Sequence, residues 1–244
     1  MKPENANIPD LWTKSSYYAD LYQNDEQIHE VIQLLDIHSA NSLIDIGCGN
    51  GVFAIAAASQ FPNCSVMAID SLSSAIEETR KRACAANCAR FRAEVASADS
   101  LPMPDLSVDR ILFRNVLHHV TSINKAFAEI SRVLQPSGLL VLETPCNPGD
   151  DTLGALISDI HILMDGSHHR TYHKPKDISA SMESHGIAAS TPQCWPYRFP
   201  VNTEQIELIR SRGAQRLLSL DKTGEGGPTI QLVLTRIIGR KKES

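Results

Sequence analysis

Residues 42–51 of the chain read Ser-Leu-Ile-Asp-Ile-Gly-Cys-Gly-Asn-Gly. The apolar residues around Asp45 predict a short buried strand, and the alternating glycines predict a tight turn directly after it. An apolar helix, 52–58, follows the turn. Glycine has no Cβ, so the turn can take positive φ and let a ligand approach the backbone, while the helix N-terminus offers free N–H groups. The stretch therefore predicts a nucleotide-type site.

The spacing of the glycines separates two kinds of nucleotide site. Dinucleotide binders use Gly-x-Gly-x-x-Gly, and Val52 stands where the third glycine of that motif would fall. The pattern here is Asp45-x-Gly47-x-Gly49-x-Gly51. It resembles motif I, (D/E)-x-G-x-G-x-G, of the class I S-adenosylmethionine (SAM)-dependent methyltransferases. The resemblance implies that these four residues bind SAM, and it leaves an NAD-dependent oxidoreductase as a minor alternative.

An acidic residue supports the same interpretation. Residues 65–69 predict a second strand, which ends at Asp70. An acid at the tip of the second strand can accept hydrogen bonds from both ribose hydroxyls of a nucleotide. The glycine turn and the spaced acid together indicate such a site more specifically than either does alone.

Two further segments resemble motifs of the family. Residues 98–105, Ala-Asp-Ser-Leu-Pro-Met-Pro-Asp, contain the Ala-Asp and Leu-Pro pairs of an A-D-x-x-x-L-P segment of the family, with a shorter spacing between them. The resemblance implies that Asp99 and Ser100 contact the adenine edge. Residues 129–138 resemble the E-I-x-R-V-L-K-P-G-G signature of the branch that includes ubiquinone and menaquinone methyltransferases. The resemblance also implies cofactor contacts from Tyr22, Ser71 and Asn115.

The order of strands and helices predicts the fold. Five strands at 42–47, 65–69, 91–96, 108–113 and 139–143 are separated by helical segments, which indicates a parallel, doubly wound sheet. Strands at 187–195 and 229–238, with helix 203–220 between them, would close the sheet. We therefore predict an α/β Rossmann-like doubly wound sheet of seven strands, the last antiparallel, with helices on both faces.

The domain organisation follows from this order. Residues 1–40, which include a predicted helix at 26–38, form a helical lid or cap, or alternatively a helix that only packs on the domain. Residues 41–244 form the SAM-binding methyltransferase domain. Insertions around 146–175 and 195–228 would build the acceptor pocket.

The acceptor pocket is predicted from aromatic residues and histidines. Segment 18–22 resembles a tyrosine-bearing entry segment of small-molecule methyltransferases, and 165–170 resembles a D-x-S-H-x-R segment that lies over the acceptor. A neutral histidine is the natural base near pH 7. The predicted catalytic residues are His168, His119 and Tyr18. The predicted substrate-binding residues are Trp12, Tyr18, His119, His168, Arg170 and Tyr172. A structural role is the competing interpretation for His118 and His119, and an ion pair with Asp165 for Arg170.

Composition limits the partners. The chain has 244 residues, six cysteines and a formal net charge of −5, which argues against nucleic-acid binding because phosphate contacts need clustered Lys and Arg. No stretch approaches the length that spans a bilayer, and no signal peptide is evident. We therefore expect a cytoplasmic protein with reduced thiols, no metal, no membrane association, and a monomeric or homodimeric state.

The leading hypothesis is an enzyme of secondary metabolism. It would transfer a methyl group from SAM to an O or N atom of a small aromatic or heteroaromatic metabolite, with S-adenosylhomocysteine (SAH) as the product. The alternatives are a C-methyltransferase of a quinone-like ring and a catalytically silent SAM-binding or partner-binding module.

Overall fold

The computed structural model describes residues 25–147, 149, 154–159, 171–201, 203–213, 218–219 and 229–243. Within them, nine strands form one sheet. The strands are β1 Ser42–Ile46, β2 Ser65–Asp70, β3 Phe91–Val95, β4 Val108–Arg114, β5 Leu134–Cys146, β6 Ile187–Ala189, β7 Gln193–Pro200, β8 Leu218–Ser219 and β9 Thr229–Lys241.

The sheet is parallel on one side and antiparallel on the other. The strand order is β3-β2-β1-β4-β5-β9-β6, and β7 and β8 also pair with β9. The first five strands pair in parallel, whereas β9 runs antiparallel to β5. The chain reverses its order at β1, which lies between β2 and β4. Ligands of such sheets bind outside the carboxyl ends of the strands at this reversal.

Helices cover both faces of the sheet. They are α1 Asp25–Leu34, α2 Val52–Gln60, α3 Ser73–Ala85, α4 Ile123–Val133, α5 Pro175–Ser184 and α6 Thr203–Ser211, with helical residues at 154–159 and 3-10 turns at Ile37–Ser39 and Leu117–His119. Side chains of a strand alternate between the two faces. Ile46 and Phe113 therefore pack with α4 and α5, while Leu43 and Leu112 pack with α1 and α2. The predicted fold class is confirmed.

Some predicted boundaries were wrong. The helix predicted for 203–220 ends at Ser211, and Leu218–Ser219 pairs with β9 as a short strand. The strand predicted for 187–195 is two strands, β6 and β7, and β7 continues to Pro200 along β9. Pairing with the long strand β9 determines where these strands begin and end, and the local hydrophobic periodicity does not contain that information.

The helix predicted for 26–38 also ends early. Asp36 takes a left-handed conformation with φ of 46°, and a 3-10 turn follows it. The guanidinium of Arg110 on β4 donates to the carbonyl oxygens of Leu35 at 2.7 Å and of Asp36 at 3.1 Å. These bonds satisfy carbonyls that the helix leaves open at its C-terminus, and they fix α1 to the sheet.

Candidate functional site

The glycine turn follows β1 at the carboxyl edge of the sheet. Gly47, Gly49 and Gly51 all have positive φ, at 70°, 55° and 76°. The N–H groups of Gly47 and Cys48 donate to the carbonyl oxygen of Ile69 at 2.8 and 2.9 Å, which ties the turn to the end of β2. A Cβ at position 47 would lie 2.1 Å from Cγ2 of Val116. Only glycine therefore fits the left-handed backbone and the close packing at this position.

Asp70 lies at the tip of β2, against the turn. Its Oδ2 accepts the N–H of Gly49 at 3.0 Å, and its Oδ1 accepts the N–H of Leu72 at 3.0 Å. Burial raises the pKa of Asp70, while backbone N–H groups of Leu72, Gly49 and Ser71 oppose the rise. Ser71 is exposed next to it. The structure thus brings the predicted ribose-binding acid and the turn together.

Asp45 lies near the end of β1, just before the glycine turn, and it is buried. Burial, together with the neighbouring Asp70 carboxylate, raises the pKa of Asp45 from 3.8 to about 7. The guanidinium of Arg114 and the backbone N–H of Ala54 act in the opposite direction. The ligand-free site therefore holds an acid that is close to its titration midpoint at neutral pH, and a nearby positive charge would favour its ionised form.

Helix α3 supports the turn from behind. Oγ1 of Thr79 donates to the carbonyl oxygen of Gly49 at 2.9 Å, and Nη1 of Arg82 donates to that of Asn50 at 3.2 Å. Thr79 was not among the residues predicted for the site. Its bond to the turn depends on how the helix crosses the sheet, and no local pattern signals it.

The loop with Asp99 and Ser100 lies at the same edge. The N–H of Ala96 donates to the carbonyl oxygen of Asp70 at 3.0 Å, and the N–H of Ser100 to that of Ser97 at 3.1 Å. Asp99 is half-buried and Ser100 is exposed. The residues predicted to contact adenine therefore lie in the loop after β3, the strand that pairs with Asp70 at the end of β2.

The signature at 129–138 holds this loop in place. Oε2 of Glu129 accepts the N–H of Leu101 at 2.8 Å. Arg132 donates to the carbonyl oxygens of Met103 at 2.8 Å and Leu101 at 3.1 Å, and it pairs with Glu129 at 2.7 Å. Two side chains of α4 thus clamp the loop through backbone bonds. The signature residues were recognised from the sequence, but this contact was not.

The far wall of the site follows β4. Asn115 has φ of 56°, and its N–H donates to the carbonyl oxygen of Glu143 at 2.7 Å. The ring of buried His118 stacks on that of buried Tyr172, with centroids 5.4 Å apart. His119 is exposed beside it, with ring centroids 4.2 Å apart. The structure therefore places the predicted residues Asn115, His119 and Tyr172 at one end of the sheet.

The chain returns to this wall at residues 171–173. The N–H of Thr171 donates to the carbonyl oxygen of His118, and the N–H of Asn147 donates to that of His173, both at 3.0 Å. Burial lowers the pKa of His173, and the carboxylate of Asp177 opposes the effect. His173 is therefore neutral at pH 7. His173 was not among the residues predicted for the site.

Five of the residues predicted for the site lie outside the described residues: Trp12, Tyr18, Tyr22, His168 and Arg170. Their roles stay predictions. Within the described part of the chain, no cluster of three His, Cys, Asp or Glu side chains is arranged to hold a metal ion. None of the helices in this part is both long and apolar enough to cross a bilayer.

A groove of about 630 Å³ lies elsewhere, between α3 and β3. Its lining includes Arg80, Cys84, Cys88 and Arg92. It contains none of the residues predicted for the cofactor or the acceptor, so it is separate from the site at the carboxyl edge.

The left-handed turn, the acid at the tip of β2 and the clamped polar loop at the reversal of a doubly wound sheet define a nucleotide-binding α/β protein. Comparison with known proteins gives the family: residues 37–194 match the family described as a methyltransferase domain. The chain belongs to this family, and the resemblance to class I SAM-dependent methyltransferases is confirmed.

Proteins named as methyltransferases are similar to the chain in sequence. The chain is 28% identical over 164 residues to the uncharacterized methyltransferase YcgJ of Bacillus subtilis, covering 65% of this chain and 64% of that protein. It is 34% identical over 117 residues to 27-O-demethylrifamycin SV methyltransferase of Amycolatopsis mediterranei, covering 45% and 40%. It is 29% identical over 119 residues to demethylmenaquinone methyltransferase of Deinococcus radiodurans, covering 49% of each. The chain thus spans between 40% and 64% of these relatives.

A solved structure shows the same fold over a longer range. The crystal structure of YcgJ superposes with a TM-score of 0.77 at 23% identity, covering 90% of this chain and 99% of that one. The likeness extends the shared architecture well beyond the residues that match in sequence.

The described residues fit SAM. The turn lies against a carboxylate suited to a ribose, and the loop that Glu129 holds carries a second carboxylate, Asp99, at the same edge. Asp45 supplies an acid whose ionised form a cationic ligand would favour. A pyrophosphate, by contrast, would bring negative charge towards two carboxylates, which is unfavourable.

Proposed function

We propose that the protein transfers the methyl group of SAM to an oxygen or nitrogen atom of a small aromatic or heteroaromatic metabolite, as an enzyme of secondary metabolism. The observation that carries the SAM assignment is the carboxylate of Asp70 held 3.0 Å from the N–H of Gly49. It combines a ribose acceptor with a turn that a ligand can approach closely.

Each cofactor residue has a proposed task. Asp70, with Ser71 beside it, would bind the ribose hydroxyls, and Asp99 and Ser100 would bind the adenine edge. The turn and Asp45 would hold the amino-acid part of SAM, with Asn115 and Tyr22 at its sides. Glu129 and Arg132 would keep the adenine loop in place through their bonds to Leu101.

The chemistry needs orientation more than activation. When bound, SAM supplies a methyl group that its sulfonium has already activated. The chain aligns the acceptor with that methyl group, and such alignment contributes roughly 7–11 kcal/mol. The lid proposed for residues 1–40 would exclude water, with Trp12 and Tyr18 against a flat acceptor.

An acceptor O–H or N–H must also lose a proton. We propose His168 as the base or orienting residue, with His119 as a second candidate and Arg170 for an acidic group of the acceptor. His173, which burial keeps neutral at pH 7, is at the same wall and is able to accept a proton. Tyr172, stacked on His118, would form the floor of the pocket.

The name of one relative favours transfer to oxygen, since it acts on 27-O-demethylrifamycin SV. The name of another, demethylmenaquinone methyltransferase, favours the second candidate, methylation of a quinone-like ring. A metabolite extract incubated with the protein and deuteromethyl-SAM distinguishes them, because mass-spectrometric fragmentation shows whether the label is on O, N or C.

The same assay tests turnover. We expect SAH to accumulate with the wild-type protein and not with Asp70→Ala, and a matched variant of an exposed acid, Asp25→Ala, serves as the control. SAM binding without SAH in repeated extracts would contradict an enzyme and favour a silent SAM-binding module. Absence of SAM binding would contradict the cofactor assignment itself.

A further inference from the structure

A row of buried charges crosses the sheet directly beside the cofactor turn. Arg114 on β4 pairs in register with Glu143 on β5, and Glu143 pairs in register with Arg236 on β9. Side chains alternate between faces along each strand, so these three residues and Asp45 on β1 lie on the face that α1 and α2 cover. Their signs alternate from one strand to the next: negative, positive, negative, positive.

The contacts between Arg114, Glu143 and Arg236 are short. Nε of Arg114 lies 2.7 Å from Oε2 of Glu143, and Nε of Arg236 lies 2.6 Å from Oε1 of the same carboxylate. Arg236 then reaches α1 through Glu30, at 2.7 Å. Glu143 is 1% exposed, and Arg114 and Arg236 are 8% and 9% exposed. The guanidinium of Arg114 also stacks on the ring of Phe53, 4.7 Å from its centroid.

Burying such charges costs desolvation free energy. Replacing a buried ion pair with apolar residues is therefore often neutral or stabilising. A role in the neighbouring site gives the row a reason. Arg114 is the cation of the row that acts on Asp45. Among the described residues, the other ionisable groups that interact electrostatically with Asp45 are Asp70 on β2 and the thiol of Cys48 in the turn. The thiol stays neutral because burial raises its pKa further.

We propose that Arg114 and Glu143 are positioning residues that set the charge of Asp45, and through it the pH range in which the turn accepts its cationic ligand. This inference rests on the proposed binding of SAM. Arg114 favours the carboxylate form, and Glu143 limits that effect by neutralising Arg114 and holding it against Phe53. SAM carries positive charge on its sulfonium and its amino group, so it binds better once Asp45 has lost its proton.

The row predicts opposite effects for two variants. Arg114→Met removes the cation, so the midpoint of the Asp45 titration should rise by about one pH unit or more. Glu143→Gln removes an anion and leaves Arg114 to act on Asp45 more strongly, so the midpoint should fall. Arg236 lies two strands further from Asp45 than Arg114 does, so Arg236→Met should move the midpoint in the same direction as Arg114→Met but less. Arg114→Lys keeps a cation at the position and is the matched control.

Two measurements test the inference. Carbon NMR of the Asp45 carboxyl, assigned by its loss in Asp45→Asn, gives the midpoint in ligand-free protein. Calorimetric titration with SAM between pH 5.5 and 9 gives the affinity, and the ligand's own amino group titrates alike in every variant. At pH 7 we expect Arg114→Met to bind SAM about fivefold more weakly, because a rise of one unit from about 7 lowers the ionised fraction of Asp45 from about one half to about one tenth.

The pattern of signs decides the outcome. Opposite shifts in Arg114→Met and Glu143→Gln support the inference. If the Asp45 midpoint is the same in the variants as in the wild type, and SAM affinity changes to the same extent at every pH, the row has a purely structural role and the inference is overturned. If Arg114→Met does not fold, as judged by circular dichroism, Glu143→Gln still tests the inference. A raised or unchanged Asp45 midpoint in that variant is then enough to overturn it. Failure of the wild-type protein to bind SAM would refute the proposed function, whereas the ligand-free titration would still test the row.

Discussion

Asp45→Asn should stabilise the ligand-free protein, and the gain should grow with pH. The folded protein holds the proton of Asp45 up to about pH 7, whereas the unfolded chain releases it near 3.8. Because the folded pKa is raised, the folded state binds more protons than the unfolded state between these values, so stability is lost as pH rises through them. An asparagine of the same shape carries no charge to bury.

The magnitude follows from the shift in pKa. One pKa unit corresponds to about 1.4 kcal/mol, and the pKa of Asp45 rises from 3.8 to about 7. The ionised carboxylate therefore costs up to about 4 kcal/mol of folding free energy at pH 8. At pH 5 the cost is only about 1.5 kcal/mol, because the folded carboxyl still holds its proton.

Urea unfolding of ligand-free wild type and Asp45→Asn at pH 5 and pH 8 gives both free energies of unfolding. Asp25→Asn, an exposed acid in the first turn of α1, is the control and should change stability by less than about 1 kcal/mol at either pH. A gain for Asp45→Asn that is equal at the two pH values, or a loss at pH 8, would refute the reasoning. The same variant should bind SAM more weakly, since a neutral amide does not offset the positive charge of the ligand.

Three further substitutions test the supports of the site. Gly51→Ala should lower the free energy of unfolding by at least about 1–2 kcal/mol in urea titrations, because φ is 76° and the new Cβ would lie 2.6 Å from Thr79; an unchanged midpoint would contradict it. Thr79→Val should cost about 1 kcal/mol and weaken SAM binding in calorimetry, since it removes the bond to Gly49; tight binding would show that the turn stands without it. Arg132→Met should accelerate hydrogen exchange of the loop around Leu101 and weaken SAM binding about tenfold, and unaltered exchange would exclude a clamp.

The sequence predicted the parts of the site that are local. The Asp45-to-Gly51 turn, its strand and the acid at position 70 lie close together along the chain, and their spacing alone indicates where they meet. The order of strands and helices was enough to predict a doubly wound sheet, because each crossover has a preferred hand.

Local sequence patterns could not predict the contacts that residues make across the sheet. Thr79 and Arg132 reach the turn and the loop from helices, and their contacts depend on how those helices cross the strands. The row from Arg114 to Arg236 exists only because β4, β5 and β9 are neighbours in a particular register. The end of the predicted helix at 203–220 was wrong for a similar reason, since pairing with β9 decides Leu218–Ser219.

The central claim is that the turn and Asp70 bind SAM. Calorimetric titration of the wild-type protein and Asp70→Asn with SAM tests it most directly, with SAH as the competitor. We expect saturable one-to-one binding to the wild type and at least tenfold weaker binding to Asp70→Asn, because a hydrogen bond to a charged group contributes about 1.5–3 kcal/mol. No binding to the wild type, or equal affinity in both proteins, would contradict the claim.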